Sequence, residues 1–380
     1  MKLFDVDAYL SELEQLVNID SGYGAPDGAT QVGLLLAEPL IQQGWHMERH
    51  HPSEEYGDVI VLKNREAERY DVLMVGHTDT VFPKGEALKR PFTRDEKRAY
   101  GVGVLDMKQG CLAMVHVLKT LPASVLEKLN IAVVFNPDEE VGSPVSRNII
   151  DQIASRTTYA LVYEAASGET LRVIRRKGMM RVYLEFLGKA GHSGYAFENG
   201  GINAVNEMAY WICQLNQFHC SETGTSINAG IARGGQTVNI IPDHAELALD
   251  IRYSSAAEMD RVAAALDELV IHAKEHGVGL IEKTRTQTAP MEPNKKTEKL
   301  CILAQKVSDK LGLQLAYKNR GGLSDANHIS ACGCATLDGM GPTGDADHSE
   351  DEYLELSTIE PNLCFSYGLL CEIAEEKANI

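Results

Sequence analysis

Positive charge is scarce in this chain, which has 36 Lys and Arg residues against 54 Asp and Glu and a formal net charge of -18. A protein that neutralises a phosphate backbone or binds an anionic membrane surface needs basic side chains in excess. No apolar run reaches the length that crosses a bilayer. The composition therefore predicts neither a nucleic-acid partner nor a membrane partner.

The chain also lacks any cysteine pair with the Cys-x-x-Cys spacing of redox and zinc motifs. Its eight cysteines are scattered, most of them in apolar surroundings, and this favours buried free thiols over a disulfide framework. Residues 1–17 have the pattern of a charged amphipathic helix rather than that of a secretion signal. We therefore expect a reduced, cytoplasmic compartment.

Apolar runs alternate with helical patterns through much of the chain. Short, almost uninterrupted apolar runs occur at residues 59–62, 72–75, 131–135 and 160–162, and helical spacing occurs at residues 6–18, 30–44 and 359–376. Such runs are typical of parallel strands that are buried on both faces. The sequence predicts an α/β fold with a mostly parallel sheet covered by helices.

The pattern changes at Gly178, where apolar and polar residues begin to alternate as in a half-buried strand. The elements that follow have the order β-α-β-β-α-β, which is the order of a ferredoxin-like α+β unit. A chain of 380 residues is long enough for two domains. We therefore predict a discontinuous first domain, residues 1–177 and 289–380, into which a second domain, residues 178–288, is inserted.

Potential metal ligands follow three of the predicted strands. They are His77, the pair Glu139 and Glu140, and Glu164. In open α/β sheets ligands bind outside the carboxyl ends of the strands, so we expect these side chains in one crevice. Asp106, at the start of a helical pattern, and His348, in a loop rich in Gly and Asp, are available to complete the group.

This set is larger than one tetrahedral zinc ion requires. Two divalent ions about 3.5–4 Å apart, sharing a bridging carboxylate, fit it better. Taken singly, His77 could be a core histidine, Asp106 a helix N-cap, and Glu139 and Glu140 a solvated pair at a helix start. These structural alternatives would all have to occur by chance at the ends of elements around one crevice. The metal site is therefore the favoured interpretation. Nine other histidines are interpreted as structural or surface residues: His46, His50, His51, His116, His219, His244, His272, His276 and His328.

Several segments together resemble the M20 family of zinc peptidases, most closely its glutamate carboxypeptidase G2-like branch. They are LVNIDSGYG, GHTDTVF, AYGVGVLDMKQG, FNPDEEVGS, GKAGHSG, VNIIP, GGLSDAN and HSEDEY. One segment such as HTDT is weak evidence, whereas the combination is specific and extends over almost the whole chain. The resemblance implies a metal-dependent hydrolase that cleaves an amide or peptide bond.

The resemblance also implies two metal ions per chain, with zinc expected first and cobalt or manganese as alternatives. By position, His77 and Glu164 would hold one ion, Glu140 and His348 would hold the other, and Asp106 would bridge both. All five residues lie in the predicted first domain.

Three further residues receive catalytic roles from the resemblance. Glu139 matches the general base, which takes a proton from water and later passes it to the leaving amine. Asp79 matches an acid that orients His77 by accepting its free ring N–H. His192 matches a residue that reaches the substrate oxyanion, often across a dimer. We therefore expect the inserted domain to serve as a lid and dimerisation module, and the protein to form a homodimer.

Substrate recognition is less well defined by the resemblance. Asn239 matches a residue that helps to bind substrate. Where the related enzymes have an arginine, this chain has Asn319, with Arg320 displaced by one residue, and Leu323 replaces a glycine. The resemblance therefore leaves open whether Asn319 or Arg320 binds the substrate carboxylate.

Three functions are consistent with these observations. The first is hydrolysis of a peptide or folate-type amide next to a free carboxylate. The second is an N-acyl-amino-acid deacylase, aminoacylase or dipeptidase on the same scaffold, so that the substrate is a small peptide or an N-acyl amino acid. The third is a metal-stabilised binding protein without turnover, which the presence of Glu139 argues against, since binding alone needs no general base.

Overall fold

The computed structural model describes residues 3–166 and 171–378, which divide into two compact units. Unit 1 consists of Met1–Ile174, Pro293–Asn319 and Ser324–Ile380, and unit 2 consists of Arg175–Glu292 and Arg320–Leu323. All eight cysteines are free thiols. None of the helices in these described ranges combines the length and the apolar composition needed to cross a membrane.

The helices and strands of the described residues are numbered in chain order. The α-helices are α1 (Val6–Val17), α2 (Pro26–Gln42), α3 (Glu86–Lys89), α4 (Lys108–Thr120), α5 (Ala123–Leu126), α6 (Arg147–Ala154), α7 (Ala196–Asn199), α8 (Ala204–Asn216), α9 (Ala256–Glu275), α10 (Lys295–Leu311), α11 (Asp325–Ala331) and α12 (Ile359–Ala378). The strands are β1 (His46–His50), β2 (Val59–Lys63), β3 (Tyr70–His77), β4 (Thr93–Arg94), β5 (Arg98–Tyr100), β6 (Ile131–Asn136), β7 (Thr157–Val162), β8 (Ala165–Ala166), β9 (Leu171–Arg176), β10 (Gly178–Leu187), β11 (Gly191–His192), β12 (Ser226–Gly234), β13 (Ile240–Ile241), β14 (His244–Tyr253), β15 (Gly279–Thr288), β16 (Ala316–Arg320), β17 (Ala335–Leu337), β18 (Gly341–Asp345) and β19 (Tyr353–Glu355).

The main sheet of unit 1 has the strand order β1-β2-β6-β3-β7-β17. The neighbours β6–β3, β3–β7 and β7–β17 are parallel, and β1–β2 and β2–β6 are antiparallel. Strands β2 and β6 are buried along their whole length, as expected for a sheet covered on both faces. The prediction of a mostly parallel sheet in an α/β fold is therefore confirmed. Strand β1 was not predicted, because its sequence HMERH is a polar, half-exposed edge strand without an apolar run.

A second, smaller sheet in unit 1 has the order β4-β5-β19-β18-β8 and was also not predicted. Its strands are two to five residues long, too short for a periodic pattern to show. Strand β5 pairs antiparallel with β19, and β18 pairs parallel with β8. This sheet joins segments that lie far apart in the sequence.

Helix α4 packs closely against the carboxyl end of the main sheet. All its residues from Lys108 to Leu118 are buried. Gly110 allows the close approach, because a Cβ atom at this position would lie 2.0 Å from the carbonyl oxygen of Tyr163. The start of α4, just after Asp106, is thereby held next to the residue that precedes Glu164.

Unit 2 has a four-stranded antiparallel sheet with the order β12-β14-β10-β15, in which α8 and α9 complete the chain order β-α-β-β-α-β. This confirms the predicted ferredoxin-like architecture. Along β10, residues Met180, Val182, Leu184 and Phe186 are buried, whereas Arg181, Tyr183 and Leu187 are exposed. The buried face packs with Trp211 of α8 and Leu266 of α9 in a core of its own.

Candidate metal centre

His77 is the last residue of β3 and is buried, with 1% of its surface exposed. Its Nε2 lies 3.1 Å from Asp106 Oδ1 and 3.7 Å from Glu164 Oε1. Its Nδ1 lies 3.1 Å from the backbone oxygen of Asp79, which favours a proton on Nδ1 and leaves Nε2 available as a ligand. His77, Asp106 and Glu164 thus form one group of possible metal ligands.

A second group shares Asp106 with the first. His348 Nε2 lies 3.0 Å from Asp106 Oδ2 and 3.4 Å from Glu140 Oε2. In each group the ligand atoms are within 4.8 Å of one another. The two oxygens of Asp106 therefore face different groups, which is the arrangement that a bridging carboxylate requires.

The donor atoms suit divalent metal ions. Two imidazole nitrogens with carboxylate oxygens are the ligand types that zinc prefers in hydrolytic sites. Glu140 Oε1 is buried and has no hydrogen-bond partner among the described residues, so it can bind an ion. The residues that the structure brings together thus fit the dinuclear centre expected from the sequence.

The small sheet of unit 1 brings Asp106 close to His348. Strand β5 leads into the loop that carries Asp106, and β19 follows the loop that carries His348. The two strands pair antiparallel, with Tyr100 opposite Tyr353, so both loops emerge at the same end of the ribbon. His348 has a φ angle of 62°, an uncommon value for a residue with a side chain.

Glu352 connects these two loops and was not identified in the sequence analysis. Its carboxylate accepts hydrogen bonds from the backbone N–H groups of Gly103 (3.2 Å), Leu105 (2.8 Å) and Asp106 (3.0 Å). Burial raises the pKa of Glu352 to about 7, against the lowering effect of these three bonds. Within the acidic stretch HSEDEY, nothing in the local pattern separates this acid from its solvated neighbours.

Asp79 holds the turn that carries Glu139 and Glu140. Its carboxylate accepts the backbone N–H of Glu139 at 3.2 Å and that of Glu140 at 2.9 Å. Its Oδ1 also lies 3.3 Å from Nδ1 of His77, the contact through which the resemblance has it orient that ring. Asp79 therefore contacts both the turn that carries Glu139 and Glu140 and the ring of His77.

The pKa values of Glu139, Glu140 and His348 reflect their burial and the charges around them. Burial raises the pKa of Glu139 well above its ordinary value, and the nearby carboxylate of Glu164 raises it further, although His77 opposes this. Burial likewise raises the pKa of Glu140. Hydrogen bonds to Asp106 and Glu140 raise the pKa of His348 to about 11. The two carboxylates thus favour the protonated form of this imidazole.

A second network, also absent from the sequence analysis, contacts the residues that flank the turn carrying Glu139 and Glu140. The carboxylate of Asp325, at the start of α11, accepts hydrogen bonds from Asn136 Nδ2 (2.8 Å) and Ser143 Oγ (2.5 Å). His328 lies between Asp325 (2.9 Å) and Asp151 (2.5 Å). These two carboxylates raise the pKa of His328 to about 9 against the lowering effect of its burial. His328 is thus a structural residue, as the sequence interpretation had it, and a charged one.

Three residues predicted to act on the substrate lie in unit 2. His192, in β11, is exposed, and its Nδ1 accepts the backbone N–H of Gly194 at 3.1 Å. Asn239 is close to it in the same unit, since its carbonyl accepts the N–H of Ser193 at 3.0 Å. The carbonyl of Arg320 accepts the N–H of Lys177 at 3.0 Å. Their roles toward the substrate remain predictions.

Replacing Glu352 should weaken metal binding without removing a metal ligand. In Glu352→Ala the N–H groups of Gly103, Leu105 and Asp106 lose their acceptor, so we expect metal affinity to fall about 10–100-fold. Glu352→Gln keeps one carbonyl oxygen in place and should recover part of that affinity. Titration with zinc under a competing chelator measures the effect, with the exposed acid Glu96→Ala as control. Equal zinc affinity in Glu352→Ala and wild type would contradict the role given to Glu352.

The His328 network should make stability depend on pH in the neutral to alkaline range. Its folded pKa, about 9, lies above the ordinary value of 6.5. The stabilisation is therefore complete below about pH 6.5 and is lost as the pH rises through about 9. His328→Gln should lower the free energy of unfolding by roughly 2–3 kcal/mol at pH 6 and by less at pH 10. Urea unfolding at both pH values checks this, with the exposed His46→Gln as control. A loss that is the same at both pH values would mean that the charge of His328 has no role.

Two hydrolases of known name are similar to this chain in sequence. Carboxypeptidase G2 of Pseudomonas sp. (strain RS-16) is 31% identical over 378 residues, covering 97% of this chain and 90% of that protein. Acetylornithine deacetylase of Klebsiella pneumoniae (strain 342) is 28% identical over 305 residues, covering 76% and 77%. Both are hydrolases of C–N amide bonds.

Solved structures show the same fold at low sequence identity. Aminopeptidase PepT from Bacillus cereus ATCC 10987 superposes with a TM-score of 0.79 at 18% identity, covering 98% of this chain and 100% of that one. A tripeptidase from Staphylococcus aureus subsp. aureus Mu50 gives a TM-score of 0.76 at 21% identity, with the same coverage of both chains. The sequence model of the peptidase family M20/M25/M40 matches residues 73–372. The chain therefore belongs to peptidase family M20/M25/M40, in agreement with the two imidazoles and three carboxylates that form its ligand groups.

Proposed function

We propose that this chain is a dinuclear metal-dependent hydrolase that cleaves an amide or peptide bond next to a free carboxylate. The observation that carries the proposal is the pair of ligand groups that share Asp106, with the half-buried Glu139 next to Glu140 in the chain. The name of carboxypeptidase G2, which is 31% identical over 97% of this chain, supports the choice of a carboxypeptidase.

His77 and Glu164 would hold one ion, Glu140 and His348 the other, and Asp106 would bridge them. Zinc is the ion that we propose, because imidazole with carboxylate is its common ligand set. When bound, the ions would supply Lewis acidity and lower the pKa of a coordinated water to about 7.

We propose that Glu139 moves the proton. Asp79 accepts the backbone N–H of Glu139. In the proposed reaction the carboxylate of Glu139 accepts a proton from water as the water oxygen bonds to the amide carbon. When the C–N bond breaks, Glu139 passes that proton to the leaving nitrogen. The products are a carboxylate from the acyl half and a free amine from the other half.

A second candidate from the same reaction class is an N-acyl-amino-acid deacylase or a dipeptidase. The acetylornithine deacetylase of Klebsiella pneumoniae (strain 342), 28% identical over 76% of the chain, favours it. The two candidates share the metal centre and the base, and they differ in the walls around the substrate.

A substrate panel tests the proposed function. The purified protein, loaded with zinc, cobalt or manganese, is assayed with N-acyl amino acids, dipeptides and pteroyl-glutamate. Each substrate is paired with its C-terminal amide, which lacks the free carboxylate. We expect hydrolysis of the acids and a much lower rate for the amides. Equal rates for both members of the pairs would refute the requirement for a free carboxylate.

Two variants should separate metal binding from proton transfer. Glu139→Gln keeps the size of the side chain but cannot accept a proton, so turnover should fall about 10²–10⁴-fold while metal content is unchanged. Asp106→Ala should lose both metal and activity, because both ligand groups depend on this carboxylate. Elemental analysis and kinetics on the same samples measure the two effects. Near-normal metal content in Asp106→Ala would exclude the bridge, and near-normal turnover in Glu139→Gln would exclude this base.

We also propose that residues 178–288 are a lid and dimerisation module, and that the protein is a homodimer in which His192 contacts the substrate oxyanion. Two features support this role. The proposed metal ligands all lie in unit 1, whereas His192 is an exposed side chain of unit 2. Removing a donor to an oxyanion typically lowers the rate about 10²–10³-fold, so His192→Ala should be nearly inactive with normal metal content.

Mixing two inactive variants tests whether His192 acts across the dimer. A mixed dimer of His192→Ala and Glu139→Gln would have one site with its own Glu139 and the partner's intact histidine. Exchange of subunits should therefore restore part of the activity. Confirmed exchange without recovery would rule out action of His192 across the dimer.

A further inference from the structure

A pocket of about 390 Å³ lies next to the metal centre, and every residue that lines it belongs to unit 1. Its size is within the range of sites for small molecules. The pocket includes Asp79 and Glu140 themselves, and Val81 and Val141 follow them closely in the chain. A substrate whose amide is at the metal centre therefore has this space beside it.

The walls of the pocket expose apolar side chains to water. Tyr23 is 82% exposed, Val141 is 59% exposed and Val81 is 38% exposed. Tyr56 and Pro137 add further apolar surface to the same walls. Covering apolar surface is favourable in proportion to the area removed from water, so an apolar group of a ligand gains affinity here.

The charged groups of the pocket have one sign. Among the described residues that line it there is no Lys, Arg or His, and the charged ones are Glu55, Asp79 and Glu140. Asp79 is neutralised in part by the N–H groups that it accepts, and Glu140 faces the centre, while Glu55 is exposed. Apart from the ion that Glu140 would bind at the centre, a carboxylate placed in this pocket would find no basic side chain among its lining residues and would be repelled by Glu55. This disfavours the half of the substrate that carries the free carboxylate.

We propose that this pocket binds the acyl half of the substrate and selects apolar acyl groups, branched or aromatic, over acetyl and over negatively charged groups such as succinyl. The assignment rests on the proposed function, since it takes the scissile amide to be at the metal centre. Tyr23 and Val141 are the specificity-determining residues, because they contribute the most exposed apolar side chains of the lining.

The test uses one amino acid joined to four acyl groups: acetyl, 3-methylbutanoyl, benzoyl and succinyl. Wild type should prefer the two apolar groups and reject succinyl. Tyr23→Ala and Val141→Asp should each lower the ratio of kcat/KM for the benzoyl substrate to kcat/KM for the acetyl substrate about 10-fold. Both side chains are exposed, so folding is retained, and metal content is measured on each sample. Leu88→Ala removes an equally exposed apolar side chain, 87% exposed, from outside the pocket and should change nothing.

A second series keeps the benzoyl group and varies the amino acid. The fold-loss in Tyr23→Ala and Val141→Asp should be the same for every amino acid, because the pocket contacts only the acyl half. A loss that follows the amino acid instead, or that is equal for acetyl and benzoyl substrates, overturns the proposal.

Binding to the zinc-loaded Glu139→Gln protein separates this proposal from the proposed function. Calorimetry with the N-benzoyl and N-acetyl compounds should show tighter binding of the benzoyl compound, and the difference should disappear when Tyr23→Ala or Val141→Asp is added. If wild type turns over no substrate but this selectivity is present, the proposed function fails, and what remains is a pocket that prefers apolar groups. If wild type turns over its substrates but shows no benzoyl preference in binding or kinetics, the proposed function holds and the pocket assignment fails.

Discussion

The rest of the site depends on one constraint, the concentration of carboxylates at the carboxyl edge of the main sheet. Glu164 faces His77, Glu140 faces His348 and Asp106 faces both, and burial raises the pKa of Glu139 and Glu140. Like charges in a buried site repel one another unless cations lie between them. The arrangement therefore favours positive charge at its centre, which divalent metal ions held by these ligand atoms would supply.

Two other acids are satisfied in a different way, by backbone N–H groups. Asp79 accepts the N–H groups of the turn that carries the base, and Glu352 accepts three N–H groups of the loop that carries Asp106. Peptide N–H dipoles thus compensate the charges of Asp79 and Glu352. The other acids are the ones that would bind the metal ions. The same bonds fix the loops, so electrostatic compensation and positioning of the ligands are one interaction rather than two.

The sequence alone determined the architecture of both units and the ligand groups at the sheet edge. Short apolar runs between helical patterns are typical of buried parallel strands, and a His or an acid directly after such a strand lies at its carboxyl end. His77 at the end of β3 is the clearest case. The change to alternating burial along β10 likewise revealed the ferredoxin-like unit, because a strand with one face on helices repeats every two residues.

The tertiary structure decided what the local pattern could not show. The small sheet pairs Tyr100 with Tyr353 across more than half of the chain, and this pairing, through strands too short to have a period, places Asp106 beside His348. Glu352 and His328 looked like solvated or structural side chains, since only their distant partners give them a role. The acyl pocket is walled by four separate segments of the sequence. Periodicity reports which face of an element is buried, whereas a site depends on which elements meet, and that is settled by the packing of the whole chain.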